Sequence, residues 1–210
     1  RPGHADLSGV WKYGFDDARP VLERASARET AARTAAGALA AGFLEALGMT
    51  FAAHVRGIGG VELPLAVQPS VAEIRAKAIG SPVGCVDEAT AARMLARIAA
   101  AQEAGDTLGG LIEVRGEGLV PGLGSYTQWD ARLDGRLAQA ISAIPAIKGV
   151  AFGDGFALAA VPGSEAHDTM EKSTGRGIAR PTNHAGGLEG GMTNGEVLVV
   201  QAAMKPIPTL

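Results

Sequence analysis

The sequence predicts an α+β fold in which an antiparallel sheet and long alanine-rich helices stack as a layered β-α-β sandwich. Three observations carry this. Extended segments place apolar residues three and four apart, as amphipathic helices do. Shorter segments alternate apolar and small residues, as strands do. Gly153-Asp154-Gly155, set between two apolar runs, signals a hairpin and hence antiparallel pairing. Neither an internal repeat nor a linker is evident, so residues 1–210 read as one domain.

The first stretch, 1–19, mixes Gly, Pro, Asp and aromatics and reads as loop with short ordered pieces. At Ser26-Ala27-Arg28-Glu29 a capping box opens a helix towards Leu47, with Gly48 as its stop. Met49 to Ile58 reads as a strand, and Ser70 caps a short helix through Ala78. A helix from Asp87 to Ala104 carries Ala91, Met94, Leu95, Ile98 and Ala99 on one side. A strand over Leu111 to Leu119 precedes a helix over Leu133 to Ile144. Strands at Val150 and over Phe156 to Val161 form the expected hairpin. Residues 164–188 make a polar, glycine-rich loop of the kind that is either functional or disordered, and Val197 to Met204 is the last strand.

Composition narrows the function. Apolar residues make up 47% of the chain but aromatics only 4%, so the core must be built from small aliphatic side chains. A net charge of −3 gives no global attraction for nucleic acid or anionic membrane, so any anion must be caught locally. Cys85 is the single cysteine, which excludes an intrachain disulfide, and no metal-ligand spacing occurs. No apolar run approaches the roughly 20 residues of a membrane span, and a cytoplasmic location is expected. Neither a P-loop nor a Rossmann glycine pattern is present.

Four stretches carry candidate chemistry. The helix start after Ser26 would attract anions through its free N–H groups, with Arg24 and Arg28 adding bidentate donors. The same arginines fit a surface helix pairing with Glu23 and Glu29. His4, within Arg1-Pro2-Gly3-His4-Ala5-Asp6, suits proton transfer, although a loop histidine is equally an ordinary surface residue. Paired glycines in 183–191 let backbone lie against a flat ligand or a phosphate, or simply form a connector. Lys205-Pro206-Ile207-Pro208-Thr209, after the last strand, offers a cation and a hydroxyl, or merely a turn.

Taken together and in order, these pieces resemble the signature blocks of the chorismate synthase family: RPGHAD at 1–6, ERASARETAARTAAGA at 23–38, GLGSYTQWDARLDGRLAQAISAIPAIKGVAFGDGF at 122–156, NHAGGLEGGMTNG at 183–195 and MKPIPTL at 204–210. The resemblance covers nearly the whole chain and is weakest over 58–108. It implies a homotetrameric lyase of the shikimate pathway. Such an enzyme converts 5-enolpyruvylshikimate 3-phosphate to chorismate and phosphate by anti 1,4-elimination, with reduced FMN as cofactor and NADP alongside it. It implies His4 as the catalytic proton relay and Arg1, Ser26 and Arg28 as substrate contacts. Flavin contacts would come from Arg24, Ala25, Ser26, Pro145, Ala146, Gly190, Lys205, Pro206, Ile207, Pro208 and Thr209. A second family histidine, in a Glu-Ser-His-Gly segment, and an aspartate beyond the Lys-Pro motif have no counterpart in these residues. The resemblance therefore implies a central fragment with an incomplete catalytic set. A non-catalytic FMN- or anion-binding module, or an oligomerisation scaffold, is the competing reading.

Overall fold

In the computed structural model, residues 5–25, 28–175 and 177–207 are described, the side chain of Arg28 excepted. The chain opens with three helices, α1 (Asp6–Tyr13), α2 (Arg19–Ala25) and α3 (Arg28–Ala46). Strands β1 (Thr50–Ile58) and β2 (Val61–Glu62) follow, then helices α4 (Val71–Lys77) and α5 (Glu88–Glu103). Next come β3 (Gly110–Glu117), α6 (Leu133–Ser142), β4 (Ile147–Phe152), a 3-10 turn over Gly155–Ala160 and the short α7 (Gly163–Ala166). Two small hairpins, β5 (Glu171–Ser173) with β6 (Gly177–Ala179) and β7 (Leu188–Glu189) with β8 (Met192–Thr193), lead to β9 (Leu198–Met204).

The main sheet has the order β2-β1-β3-β9-β4, and every pairing is antiparallel, in keeping with the α+β expectation. Its two faces differ because side chains alternate along each strand. One face carries Phe51, Val150, Phe152, Leu198 and Val200, which pack with Leu133, Leu137 and Ile141 of α6. A second cluster, Leu63, Ile74, Cys85, Val86, Ala91 and Met94, joins α4 and α5 to β1. The opposite side of β3 points Leu111, Glu113 and Arg115 away from α6, and this polar stripe becomes important below.

Local chemistry fixes the helix ends. Ser70 accepts from the Glu73 N–H while Glu73 accepts from the Ser70 N–H, a complete capping box at the start of α4. The Asp87 carboxylate accepts from the Thr90 N–H and starts α5, and Gly105 at φ 67° leads the chain out of that helix. The cap expected at Ser26 lies outside the described residues. Within α3, Glu29 pairs with Arg33 one turn on, at 3.1 Å.

Four expectations need correction. Residues 1–19 hold a real helix, α1, closed by Gly14 in the left-handed region. The hairpin at Gly153-Asp154-Gly155 does not form: β4 pairs with β9, and the chain passes into the 3-10 turn, with Phe156 exposed. The cause is a close approach, since a Cβ on Gly153 would lie 2.0 Å from the His184 carbonyl oxygen, so this glycine serves packing rather than a two-residue turn. The loop expected over 164–188 contains α7 and the β5–β6 hairpin. On α5 it is Ala101, not Leu95, that is buried with Ala91 and Met94.

Candidate functional site

Two concavities flank the β4–β9 half of the sheet, and they share no lining residue. The smaller, about 410 Å³, gathers segments remote in sequence. Helix α2 brings Arg24 and Ala25, the turn between α6 and β4 brings Pro145 and Ala146, and the end of β9 brings Lys205. Ala5, Glu29 and Lys148 complete its rim. Three cationic side chains against one carboxylate make this opening positive.

Its geometry is set by the α6–β4 turn. Proline at 145 keeps the preceding residue out of helical backbone, so α6 stops before it. Ala146 then adopts φ 73°, the one positive φ at a non-glycine among the described residues. An L-residue pays about 1–2 kcal/mol there. In that conformation the Ala146 carbonyl accepts the Lys205 N–H at 3.0 Å, which ties the end of β9 to the turn.

Of the residues that the sequence singled out, Arg24, Ala25, Pro145, Ala146 and Lys205 are thus brought together. Arg1, His4, Ser26, Pro208, Thr209 and the side chain of Arg28 lie outside the described residues. Gly190 is placed elsewhere: with Gly191 it forms the two-residue turn of the β7–β8 hairpin, both at positive φ, and the hairpin demands that conformation. Pro206 and Ile207 run past the start of β3, where the Thr107 hydroxyl donates to the Ile207 carbonyl at 2.8 Å, and neither lines the pocket.

The larger concavity, about 880 Å³, opens over the polar stripe of β3. Here Glu113 is fully buried and accepts from Arg115 Nε at 2.7 Å and Arg56 at 3.1 Å, with His54 Nε2 3.2 Å away. Arg56 is the extra residue of a β-bulge between Val55 and Gly57. Burial alone would raise the Glu113 pKa, but the hydrogen bonds from His54 and Arg115 and the two guanidinium charges outweigh it and hold it at about 2.

On the far rim, His184 Nδ1 lies 2.6 Å from Asp154, and Arg180 donates to Glu189 at 2.9 Å. Asp168 accepts from the Thr182 hydroxyl and from the His184 and Ala185 N–H groups. Partial burial opposes its ionisation, yet those three donors hold its carboxyl below the usual range. Sequence reasoning gave no role to Arg56, Glu113 or Arg115. The alternation Glu113-Val114-Arg115, which sets a carboxylate and a guanidinium on one face of β3, was the only signal for them in the sequence, and Arg56, the bulge residue of β1, had none.

Comparison with known proteins places the chain. A protein-family model described as chorismate synthase matches residues 1–210. The chain is 59% identical over 211 residues to the chorismate synthase of Beutenbergia cavernae, covering 100% of this chain and 53% of that protein. It is 57% identical over 210 residues to that of Moorella thermoacetica, covering 100% of this chain and 54% of the relative. A crystal structure of chorismate synthase superposes with a TM-score of 0.90 at 44% identity, over 96% of this chain and 63% of that one. The chain spans about half the length of the curated relatives it matches.

Proposed function

The chain belongs to the chorismate synthase family, and on that premise we propose that it supplies the flavin-facing half of a lyase site that converts 5-enolpyruvylshikimate 3-phosphate to chorismate and phosphate. The observation that carries the reading is the meeting of Arg24, Ala25, Pro145, Ala146 and Lys205 in one pocket from three separate stretches of sequence.

The residues present fit reduced FMN. Arg24, Lys148 and Lys205 suit its phosphate, and the Pro145–Ala146 turn offers an apolar edge held in strained backbone, a kind of outlier that clusters at ligand sites. Reduced flavin, when bound, supplies electron density to the substrate as phosphate departs. The chain's own residues orient and neutralise. Arg24 and Lys205 hold anionic groups through charge-assisted hydrogen bonds, and the tie from the Lys205 N–H to Ala146 fixes the cation's root. Arg1, Ser26 and Arg28 are proposed to meet the substrate's carboxylate and phosphate, and His4 to relay a proton near the leaving group. Pro206, Ile207, Pro208 and Thr209 are proposed to extend the flavin contact beyond the pocket, whereas Gly190, in the β7–β8 turn, stands outside it. A homotetramer in the cytoplasm is proposed as the working form. Among the described residues no helix is long and apolar enough to cross a membrane.

The test is an anaerobic titration of reduced FMN. Lys205→Ala and Arg24→Ala are each expected to weaken binding about tenfold, the factor of one lost charge-assisted contact. Unaltered affinity in both would remove the flavin from this pocket. Chorismate formation with reduced FMN, assayed in the complete protein, distinguishes a lyase from a non-catalytic flavin module.

A further inference from the structure

The larger cavity holds more positive charge than its own residues neutralise. Arg56 and Arg115 present two guanidinium groups to the single carboxylate of Glu113. Each arginine is more than nine-tenths buried, and among the described residues one terminal nitrogen of each has no hydrogen-bond partner. Buried donors left unpaired are costly, and an unpaired buried charge more so. The other charges around the cavity are already matched, Arg180 with Glu189 and Asp154 with His184. The excess is therefore local to β1 and β3. Its volume of about 880 Å³ lies within the range of small-molecule sites.

We propose that this cavity is a second binding site, distinct from the flavin pocket, which takes an oxyanion of the carboxylate or phosphate class between Arg56 and Arg115. Guanidinium forks match both anions in bidentate fashion. The aliphatic wall, Leu111 and Val199 among it, suits the body of a small organic acid, while Gln201 is held by the Gly153 carbonyl and stays out of the anion's way. The bulge at Arg56 gives the site its shape, because it sets that arginine beside Glu113 without a partner of its own across the strand pair. The anion has two sources, a free small molecule or a side-chain carboxylate of a second copy of this chain.

Calorimetric titration of inorganic phosphate into the full chain at fixed ionic strength tests the site, with Arg115→Met and Arg56→Met as variants. Each variant leaves Glu113 one guanidinium partner, so the buried carboxylate is still matched, and circular dichroism of both variants confirms the fold before titration. Saturable binding, weakened about tenfold or more in either variant, is the expected result. Lys205→Ala, in the other pocket, should leave phosphate affinity at this site unaltered even where it weakens flavin. Sedimentation separates the sources: a self-association that phosphate competes away and that Arg115→Met abolishes identifies a partner carboxylate. Binding of equal strength in wild type and both variants would overturn the proposal. So would the absence of saturable binding together with an oligomeric state that neither variant changes.

Discussion

Glu113 and Arg115, two residues apart on β3, face the same side of the sheet and meet at 2.7 Å in its interior. With Arg56 on the other carboxylate oxygen, Glu113 is the only acidic group between two buried cations in this cluster. Glu113→Gln keeps the shape and removes the charge. It is expected to cost about 3–5 kcal/mol, the usual consequence of leaving a buried charge unmatched. Urea unfolding at neutral pH measures it.

The same residue makes stability depend on pH. Its pKa is about 2 in the fold against an ordinary 4.5, so its contribution is fully present above 4.5 and is lost as pH falls through the folded value. The stability gap between wild type and Glu113→Gln should therefore narrow as pH drops from 4.5 towards 2. A gap independent of pH would mean that Glu113 is not ionised in the fold.

Asp168 organises the segment that follows the β5–β6 hairpin. It accepts from the Thr182 hydroxyl and from the His184 and Ala185 N–H groups. Asp168→Ala removes all three acceptor contacts, and hydrogen exchange at His184 and Ala185 is expected to quicken about tenfold while the main sheet is unaffected. The carboxyl's lowered pKa gives the direction with acid: protection at these amides is held above the ordinary aspartate range and lost as pH falls below it.

The sequence made much of this legible where the determinants are local. Ser70 and Asp87 announce their helices because a side-chain oxygen bonding a backbone N–H three residues on is a short-range event. Gly153 misled for the opposite reason. Its turn chemistry is real, but the contact that fixes its conformation comes from His184, some thirty residues later. The gathering of Arg24, Pro145 and Lys205 in the smaller pocket was legible only through the family resemblance, whereas spacing alone read Arg24 as a surface-helix ion pair and Lys205 as part of a turn. The Arg56, Glu113 and Arg115 cluster was not legible, because burial of charge depends on strand register and on a bulge that no short-range pattern reveals.

His4 is the residue on which the proposed proton transfer rests. In the complete protein assayed with reduced FMN, His4→Ala is expected to lower turnover by about a hundredfold or more, the usual worth of a general acid or base, while flavin affinity stays within about twofold. The split matters, because a histidine that merely shaped the pocket would lose both together. Unaltered turnover would remove His4 from the mechanism.

Ala146 offers a test of whether strain at the pocket is used. At φ 73° an alanine costs about 1–2 kcal/mol relative to relaxed backbone. Glycine escapes that cost but adds freedom to the unfolded chain, worth about 0.4–1 kcal/mol in the other direction. Ala146→Gly should therefore be between neutral and about 1.6 kcal/mol more stable than wild type. The Lys205 N–H would then be held by a looser turn, and reduced-FMN affinity should fall although no side-chain charge has been removed. Thermal unfolding and flavin titration of the same variant decide it: a more stable protein with weaker binding ties the strained turn to the ligand, and unaltered binding frees it from that role.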